Sequence, residues 1–306
     1  MNKKLVIGSR GSKLSLAYAE KVKGLILKFN PKIEYKIIIK TIKTTGDIFL
    51  NKSISDIGGK HLFCKEIEDT LINKKIDIAV HSLKDMDSDE TKGLSVQAYI
   101  KRNDPRETFV SKKYTKLSEL SNAKIGSSSR RRELQIKLIN KNIKVKNIRG
   151  NIDTRIKKVE TGEYDGAILA LAGLQTLKLE KYSREKLEIK DFIPAAGQGI
   201  IAVQCRDEDS KIIDILKKIN HTDTKICALA ERSFLKVLGG DCQTAVGCFA
   251  TLKNKNINLR AQLFSDDGKK FFNVIKSGEI DNPEAIGKLA GEEILKKSGD
   301  SFKKRK

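Results

Sequence analysis

The chain has 306 residues, 61 of them Lys or Arg and 39 Asp or Glu, for a formal charge of +22. That length predicts two or three domains, and 39% hydrophobic residues can fill their cores, which excludes a disordered chain. No apolar run reaches the roughly 18–20 residues of a membrane span, and Leu5-Val6-Ile7 is too short for the core of a signal peptide.

Leu5–Ser9 predicts a strand, and Ser12–Asn30 a helix with Leu14, Ala17, Val22, Leu25 and Ile26 on one side. Tyr35–Ile42 is β-rich, and Thr44–Lys60 reads as a long polar loop. A helix over Glu66–Asn73 and a buried strand over Ile76–Leu83 complete an α/β unit with parallel pairing. A second unit follows: strands at Thr108–Ser111, Ala123–Gly126, Val145–Arg149 and Gly166–Ala172, with helices at Arg131–Asn140 and Asp153–Thr161. Gly197–Arg206 passes through a Gly loop into another strand. Thr224–Leu238 predicts a helix. Three antiparallel strands follow at Cys248–Leu252, Ile257–Ser265 and Lys270–Lys276, then a helix at Pro283–Lys297 and a disordered charged tail from Ser298.

The expected fold is α/β, with two doubly wound lobes and a cleft between them, plus a small C-terminal α+β domain. Lobe 1 takes residues 1–101 and 197–220, lobe 2 takes 102–196, and the small domain takes 221–306.

The charge divides into two parts. Thirteen of the basic residues are Arg and 48 are Lys, and five of the Arg lie between Arg130 and Arg155. Diffuse Lys raises the general attraction for polyanions, whereas clustered Arg forks recognise carboxylate or phosphate. No Trp is present and aromatics are 6%, so the stacking platforms of a nucleic-acid binder are missing. The five Cys include no Cys-x-x-Cys pair and only three His accompany them, so no zinc site is expected. The odd count fits a reduced, cytoplasmic chain. Cys64, Cys205, Cys227 and Cys248 sit beside apolar residues and read as core thiols, while Cys242 follows Gly239-Gly240-Asp241 in a loop suited to covalent attachment.

Four further segments can carry chemistry. In Gly126-Ser127-Ser128-Ser129-Arg130-Arg131-Arg132, three Arg open a helix whose N-terminus already carries partial positive charge. A bound anion relieves that opposition, and the alternative is a solvated basic face with a Ser cap. Arg149-Gly150-Asn151 through Arg155 extends an anion site or forms a surface turn. His81-Ser82-Leu83-Lys84-Asp85 follows a strand, placing Lys84 and Asp85 to meet an anion and a developing cation, or to pair in a loop. Pro194–Gly199 is a tight Gly turn, either hinge or ligand contact.

Together these segments resemble the porphobilinogen deaminase (hydroxymethylbilane synthase) family from Ile7 to about Ala250. The resemblance is carried by Gly8-Ser9-Arg10-Gly11-Ser12, Gly59-Lys60-His61-Leu62-Phe63, His81–Asp85, Arg102-Asn103-Asp104-Pro105-Arg106, the Ser-Arg cluster, Arg149-Gly150-Asn151, Pro194–Gly199 and Leu238–Gln243. It implies lobes like those of type II periplasmic binding proteins and an enzyme condensing four porphobilinogen molecules with loss of ammonia. It also implies a dipyrromethane cofactor on a thioether, at Cys242, and a mobile lid at Thr45–Lys60. Asp85, Lys84 and Arg10 are the implied catalytic residues. Ser82, Lys84, Asp85, Ser127, Ser128, Ser129, Arg131, Arg132 and Arg155 are implied to hold the cofactor. Arg10, Ser12, Phe63, Arg149, Arg155, Gln198 and Gly199 are implied to hold substrate. No metal, membrane or specific nucleic acid is implied, and a monomer is expected. The chain departs from the family pattern at Tyr18, Asp87, Arg130, Thr176 and Asp241. The competing expectation is a non-catalytic anion-binding protein on the same scaffold, which would not need the thiol of Cys242.

Overall fold

The computed structural model describes residues 3–48, 64–239 and 244–303. In chain order the strands are β1 (Lys4–Arg10), β2 (Lys36–Ile42), β3 (Ile78–Ser82), β4 (Leu94–Tyr99), β5 (Glu107–Val110), β6 (Lys124–Gly126), β7 (Lys144–Lys146), β8 (Gly166–Ala170), β9 (Ser183–Leu187), β10 (Ile201–Arg206), β11 (Val246–Lys253), β12 (Asn256–Phe264) and β13 (Phe271–Glu279). The α-helices are α1 (Lys13–Phe29), α2 (Thr45–Ile48), α3 (Lys65–Ile72), α4 (Arg130–Ile139), α5 (Ile152–Glu160), α6 (Leu171–Thr176), α7 (Ser210–Lys217), α8 (Thr222–Leu238) and α9 (Pro283–Ser298). The chain forms two compact units, Met1–Asn103 with Ile200–Ala228, and Asp104–Gly199 with Leu229–Lys306. The expected small domain, 221–306, is thus divided between them after Ala228.

The first unit is built on a five-stranded sheet in the order β2-β1-β3-β10-β4. β1 runs parallel to β2 and β3, and β10 runs antiparallel to β3 and β4. The parallel pairing expected for the three N-terminal strands therefore holds. β10 enters after the intervening segment 104–199 and not through a strand–helix–strand crossover, so nothing requires it to be parallel. Helix α1 starts where the Ser12 side chain accepts a bond from Ser15 N. It buries Tyr18, Ala19, Val22 and Ile26 against Leu5, Ile7, Ile78 and Val203.

The second unit repeats the plan in the order β7-β6-β8-β5-β9. β6 is parallel to β7 and to the central strand β8, and β5 is antiparallel to β8 and β9. In both sheets the antiparallel strand is the one laid down as the chain enters the unit.

The three antiparallel strands that the sequence pattern predicted form the meander β11-β12-β13, which lies in the second unit. Asn254 and Lys255 link β11 to β12 with φ of 51° and 60°, the left-handed pair of a two-residue hairpin. Helix α9 covers β12 and β13 and packs closely on α8. A Cβ at Gly287 would stand 2.1 Å from Ala230 O and one at Gly291 2.7 Å from Val237 Cβ, so both glycines are required by close approach. The tail is ordered further than expected: Gly299–Ser301 is a 3-10 turn, and Ser298 and Phe302 are buried.

Candidate active site

In the first unit the site forms because β1 and β3 are adjacent and parallel, so their C-terminal ends lie side by side. β1 delivers Arg10, and β3 delivers Ser82, followed by a 3-10 turn over Leu83–Asp85. Arg10, Ser82 and Asp85 line one pocket with Ser15, Tyr18, Cys64, Val80 and His81. The expected catalytic pair Arg10 and Asp85 is thus brought together. Lys84 is half-buried on the same turn but does not line the pocket. Ser12 caps α1 and its Oγ lies 2.8 Å from Ser15 Oγ. Tyr18, a departure from the family pattern, forms part of the wall.

The sequence did not point to Asp47. Its carboxylate is gripped by Arg10 through Nε to Oδ2 at 3.3 Å and Nη2 to Oδ1 at 2.5 Å. Thr44 Oγ1 donates to the same carboxylate at 2.8 Å. Burial draws the Asp47 pKa upward, but the Arg10 bonds and charge and the Thr44 bonds outweigh it, leaving the carboxyl below its ordinary value. The available signal was a carboxylate in a polar Thr-Thr-Gly-Asp stretch, which reads as a loop.

His81 is buried, and its Nε2 lies 3.2 Å from Gln204 Oε1. Burial lowers its pKa, against the opposing pull of Glu68, the Gln204 bond and Asp85. Cys64, Cys205, Cys227 and Cys248 are all buried thiols. Burial, then the charges of Glu68, Asp85 and Asp87, raise the Cys64 thiol well above its ordinary pKa, and Cys205 is pushed up to about 12. Neither is a thiolate at neutral pH.

The second unit holds the Ser-Arg cluster. Ser129 caps α4 by accepting from Arg132 N, Ser127 accepts from Ser129 N at 3.2 Å, and Ser128 donates to Asn147 Oδ1 at 2.6 Å. Arg131 and Arg132 turn inward and are 4% and 7% exposed. Arg132 grips Glu107 with Nε at 2.9 Å and Nη2 at 2.8 Å, and Arg131 Nη2 reaches the same carboxylate at 2.6 Å. Ile193 O and Ile168 O take further guanidinium protons. The cluster is therefore not a solvated face. Only Arg130 matches that description, exposed and paired with Glu133 at 2.8 Å. Glu107 was missed because a single carboxylate in a short apolar strand carries no pattern of its own.

Arg149 is half-buried, and its Nε is buried with no hydrogen-bond partner among the described residues. An orphaned buried donor of this kind calls for an acceptor. Arg155 Nε donates to Gly150 O at 2.8 Å. Gln198 is 1% exposed and its Nε2 donates to Pro105 O at 2.7 Å, so its amide braces the turn that ends at Gly199. Glu231, also missed, ties that turn to β11 by accepting from Gly197 N at 2.6 Å and Ala250 N at 2.8 Å. Thr176 Oγ1 donates to Ala172 O at 2.8 Å. Phe63, Asp241, Cys242 and most of the expected lid lie outside the described residues. Among the described residues no cluster of His, Cys, Asp and Glu is placed to hold a metal, and no helix is long and apolar enough to cross a membrane.

Comparison with known proteins gives two family matches. Residues 5–214 match "Porphobilinogen deaminase, dipyromethane cofactor binding domain", and residues 225–296 match "Porphobilinogen deaminase, C-terminal domain". The chain is 40% identical over 292 residues to the porphobilinogen deaminase of Alkaliphilus metalliredigens (strain QYMF), covering 95% of this chain and 92% of that one. It is 39% identical over 294 residues to the enzyme of the same name from Francisella philomiragia, covering 96% of each. A solved structure of the methionine binding protein MetQ aligns at 12% identity with a TM-score of 0.45, over 71% of this chain and 88% of that one.

Proposed function

Because the chain belongs to the porphobilinogen deaminase family, we propose that it is a hydroxymethylbilane synthase, joining four porphobilinogen molecules head to tail with loss of ammonia at each joining. The observation that carries this chemistry is that Asp85 and Arg10 line one pocket.

The residues present fit an anionic pyrrole group. Two buried guanidinium groups share the single carboxylate of Glu107, which leaves positive charge in surplus, and the buried Arg149 Nε is without a partner among the described residues. The dipyrromethane cofactor, attached through Cys242, supplies the pyrrole carbon to which the first substrate is joined. In this proposal Arg131, Arg132 and Arg155, with Ser127, Ser128 and Ser129, hold its acetate and propionate groups. Arg10, Ser12 and Phe63 of the first unit, and Arg149, Gln198 and Gly199 of the second, are the residues proposed to contact the substrate. Each charge-assisted bond contributes about 1.5–3 kcal/mol.

Asp85 accepts the pyrrole N–H and offsets the positive charge left on the ring as ammonia departs. Ser82, which lines the same pocket, steadies a carboxylate of the ring bound there, and Lys84, on the turn beside it, adds positive charge next to the pocket. Arg10 orients the incoming substrate against Asp85 through its guanidinium fork. Monomeric action in the cytoplasm is part of the same proposal, supported by four cysteines that remain buried thiols.

Intact-protein mass spectrometry tests this directly. The purified protein should exceed its sequence mass by one dipyrromethane unit, and Cys242→Ser should abolish the excess. Protein of unmodified mass that releases no ammonia from porphobilinogen overturns the proposal.

A further inference from the structure

A buried polar chain runs to the wall of the Asp85 pocket. Glu68 on α3 is 6% exposed. Its Oε2 accepts from Thr91 Oγ1 at 2.7 Å and its Oε1 from Gln204 Nε2 at 3.0 Å. A carboxylate only accepts, so Gln204 must turn its NH2 to Glu68 and its carbonyl oxygen the other way. That oxygen lies 3.2 Å from His81 Nε2. An amide oxygen also only accepts, so Nε2 carries the proton. In a neutral imidazole the other nitrogen, Nδ1, is then a bare acceptor. Burial keeps the ring neutral: it lowers the His81 pKa, and the opposing charges of Glu68 and Asp85 do not reverse this. His81 lines the pocket beside Asp85, and among the described residues its Nδ1 has no hydrogen-bond partner.

Resting on the activity proposed above, we propose that His81 is a further substrate-binding residue, whose Nδ1 accepts a hydrogen bond from an N–H of the porphobilinogen seated against Asp85. Gln204 and Glu68 are positioning residues that hold the ring in the Nε2–H tautomer. The pocket then offers two acceptors of different kind. Asp85 answers positive charge, and His81 adds a directional neutral acceptor without a second negative charge that would repel the acetate and propionate groups. Porphobilinogen has two sources of N–H, the pyrrole ring and the aminomethyl group, and either supplies the donor required.

The test uses full-length protein with 15N-labelled histidine, of which there are three, His61, His81 and His221. His81→Asn assigns the His81 signals. In the protein alone, His81 should show a protonated Nε2 and an unprotonated Nδ1. Adding porphobilinogen should move the Nδ1 resonance in the direction of an accepted hydrogen bond. The same pyrrole lacking the aminomethyl group moves it too if the ring N–H is the donor, and leaves it in place if the aminomethyl group is. A protonated Nδ1 in the protein alone, or an Nδ1 unmoved by porphobilinogen, overturns the proposal. Gln204→Leu should abolish the single tautomer and raise KM about tenfold with a smaller change in kcat. An Nε2–H tautomer that persists in Gln204→Leu refutes the positioning role. If wild-type protein consumes porphobilinogen while Nδ1 does not respond, only the His81 role fails. If it consumes none, the underlying activity fails first.

Discussion

Arg10 and Asp47 close a two-bond ion pair at the C-terminal end of β1, with side chains 21% and 26% exposed. Asp47 thereby presents to Arg10 the same chemical group that a pyrrole acetate or propionate would present.

This pair has a pH signature. The Asp47 pKa lies below its ordinary 3.8 in the folded protein. A carboxyl with a depressed folded pKa contributes stability that is complete above the unfolded value and is lost as pH falls through the folded one. Asp47→Asn should therefore be less stable than wild type at pH 7, by about 1 kcal/mol once screening of a partly exposed pair is allowed for. The difference should shrink as the pH is lowered below the ordinary carboxyl range. Urea denaturation at pH 7 and pH 3 measures it, and a gap that widens on acidification contradicts the assignment.

Glu107 is the most consequential carboxylate of the second unit, because two nearly buried guanidinium groups depend on it. Glu107→Gln removes the charge and leaves both cations uncompensated. Breaking a buried pair in this way costs about 3–5 kcal/mol. Glu107→Asp keeps the charge on a shorter stem and should lose less. Equal denaturation midpoints for wild type and Glu107→Gln would show that other groups carry the compensation.

Gly287 sets two effects against each other. Alanine in a helix interior is favoured over glycine by about 1 kcal/mol. Against this, the new Cβ would stand 2.1 Å from Ala230 O, a backbone atom that no side-chain rotation can move. Overpacking costs about 1–3 kcal/mol or more. The clash should win, and Gly287→Ala should lower the melting temperature. Gly24, on α1, has nothing within 4 Å of such a Cβ, so Gly24→Ala should raise it.

Asp85 stands on a 3-10 turn whose buried contact is Leu83, so its carboxylate is not needed to hold that turn. Asp85→Ala should keep the circular dichroism spectrum and melting temperature of wild type while losing nearly all ammonia release from porphobilinogen. Near-normal turnover would remove Asp85 from its proposed role.

Where hydrophobic periodicity and capping were read locally, the sequence was sufficient, although the alternation of Leu94, Val96 and Ala98 with Ser95 and Gln97 in β4 went unread. Helix α1 follows from Ser12 and the spacing of Val22 and Ile26, and the meander β11–β13 from alternating burial. Strand β9 was illegible because Ser-Arg-Glu-Lys-Leu buries only Leu187, and its place comes from backbone pairing with β5. The direction of β10 was equally hidden, since antiparallel pairing with β3 depends on how the chain returns from residues 104–199.

Residue types at the ends of strands marked Asp85 and the Arg131-Arg132 pair as special without any coordinates, and the family resemblance marked Arg10. Only the tertiary structure decided what opposes each of them. Asp47 lies 37 residues from Arg10, Glu107 lies 24 and 25 residues from the two arginines, and Gln204 lies 123 from His81. A one-dimensional pattern reports the period of a helix or strand. Charge compensation and tautomer choice are set by distance in space, at separations no local period encodes.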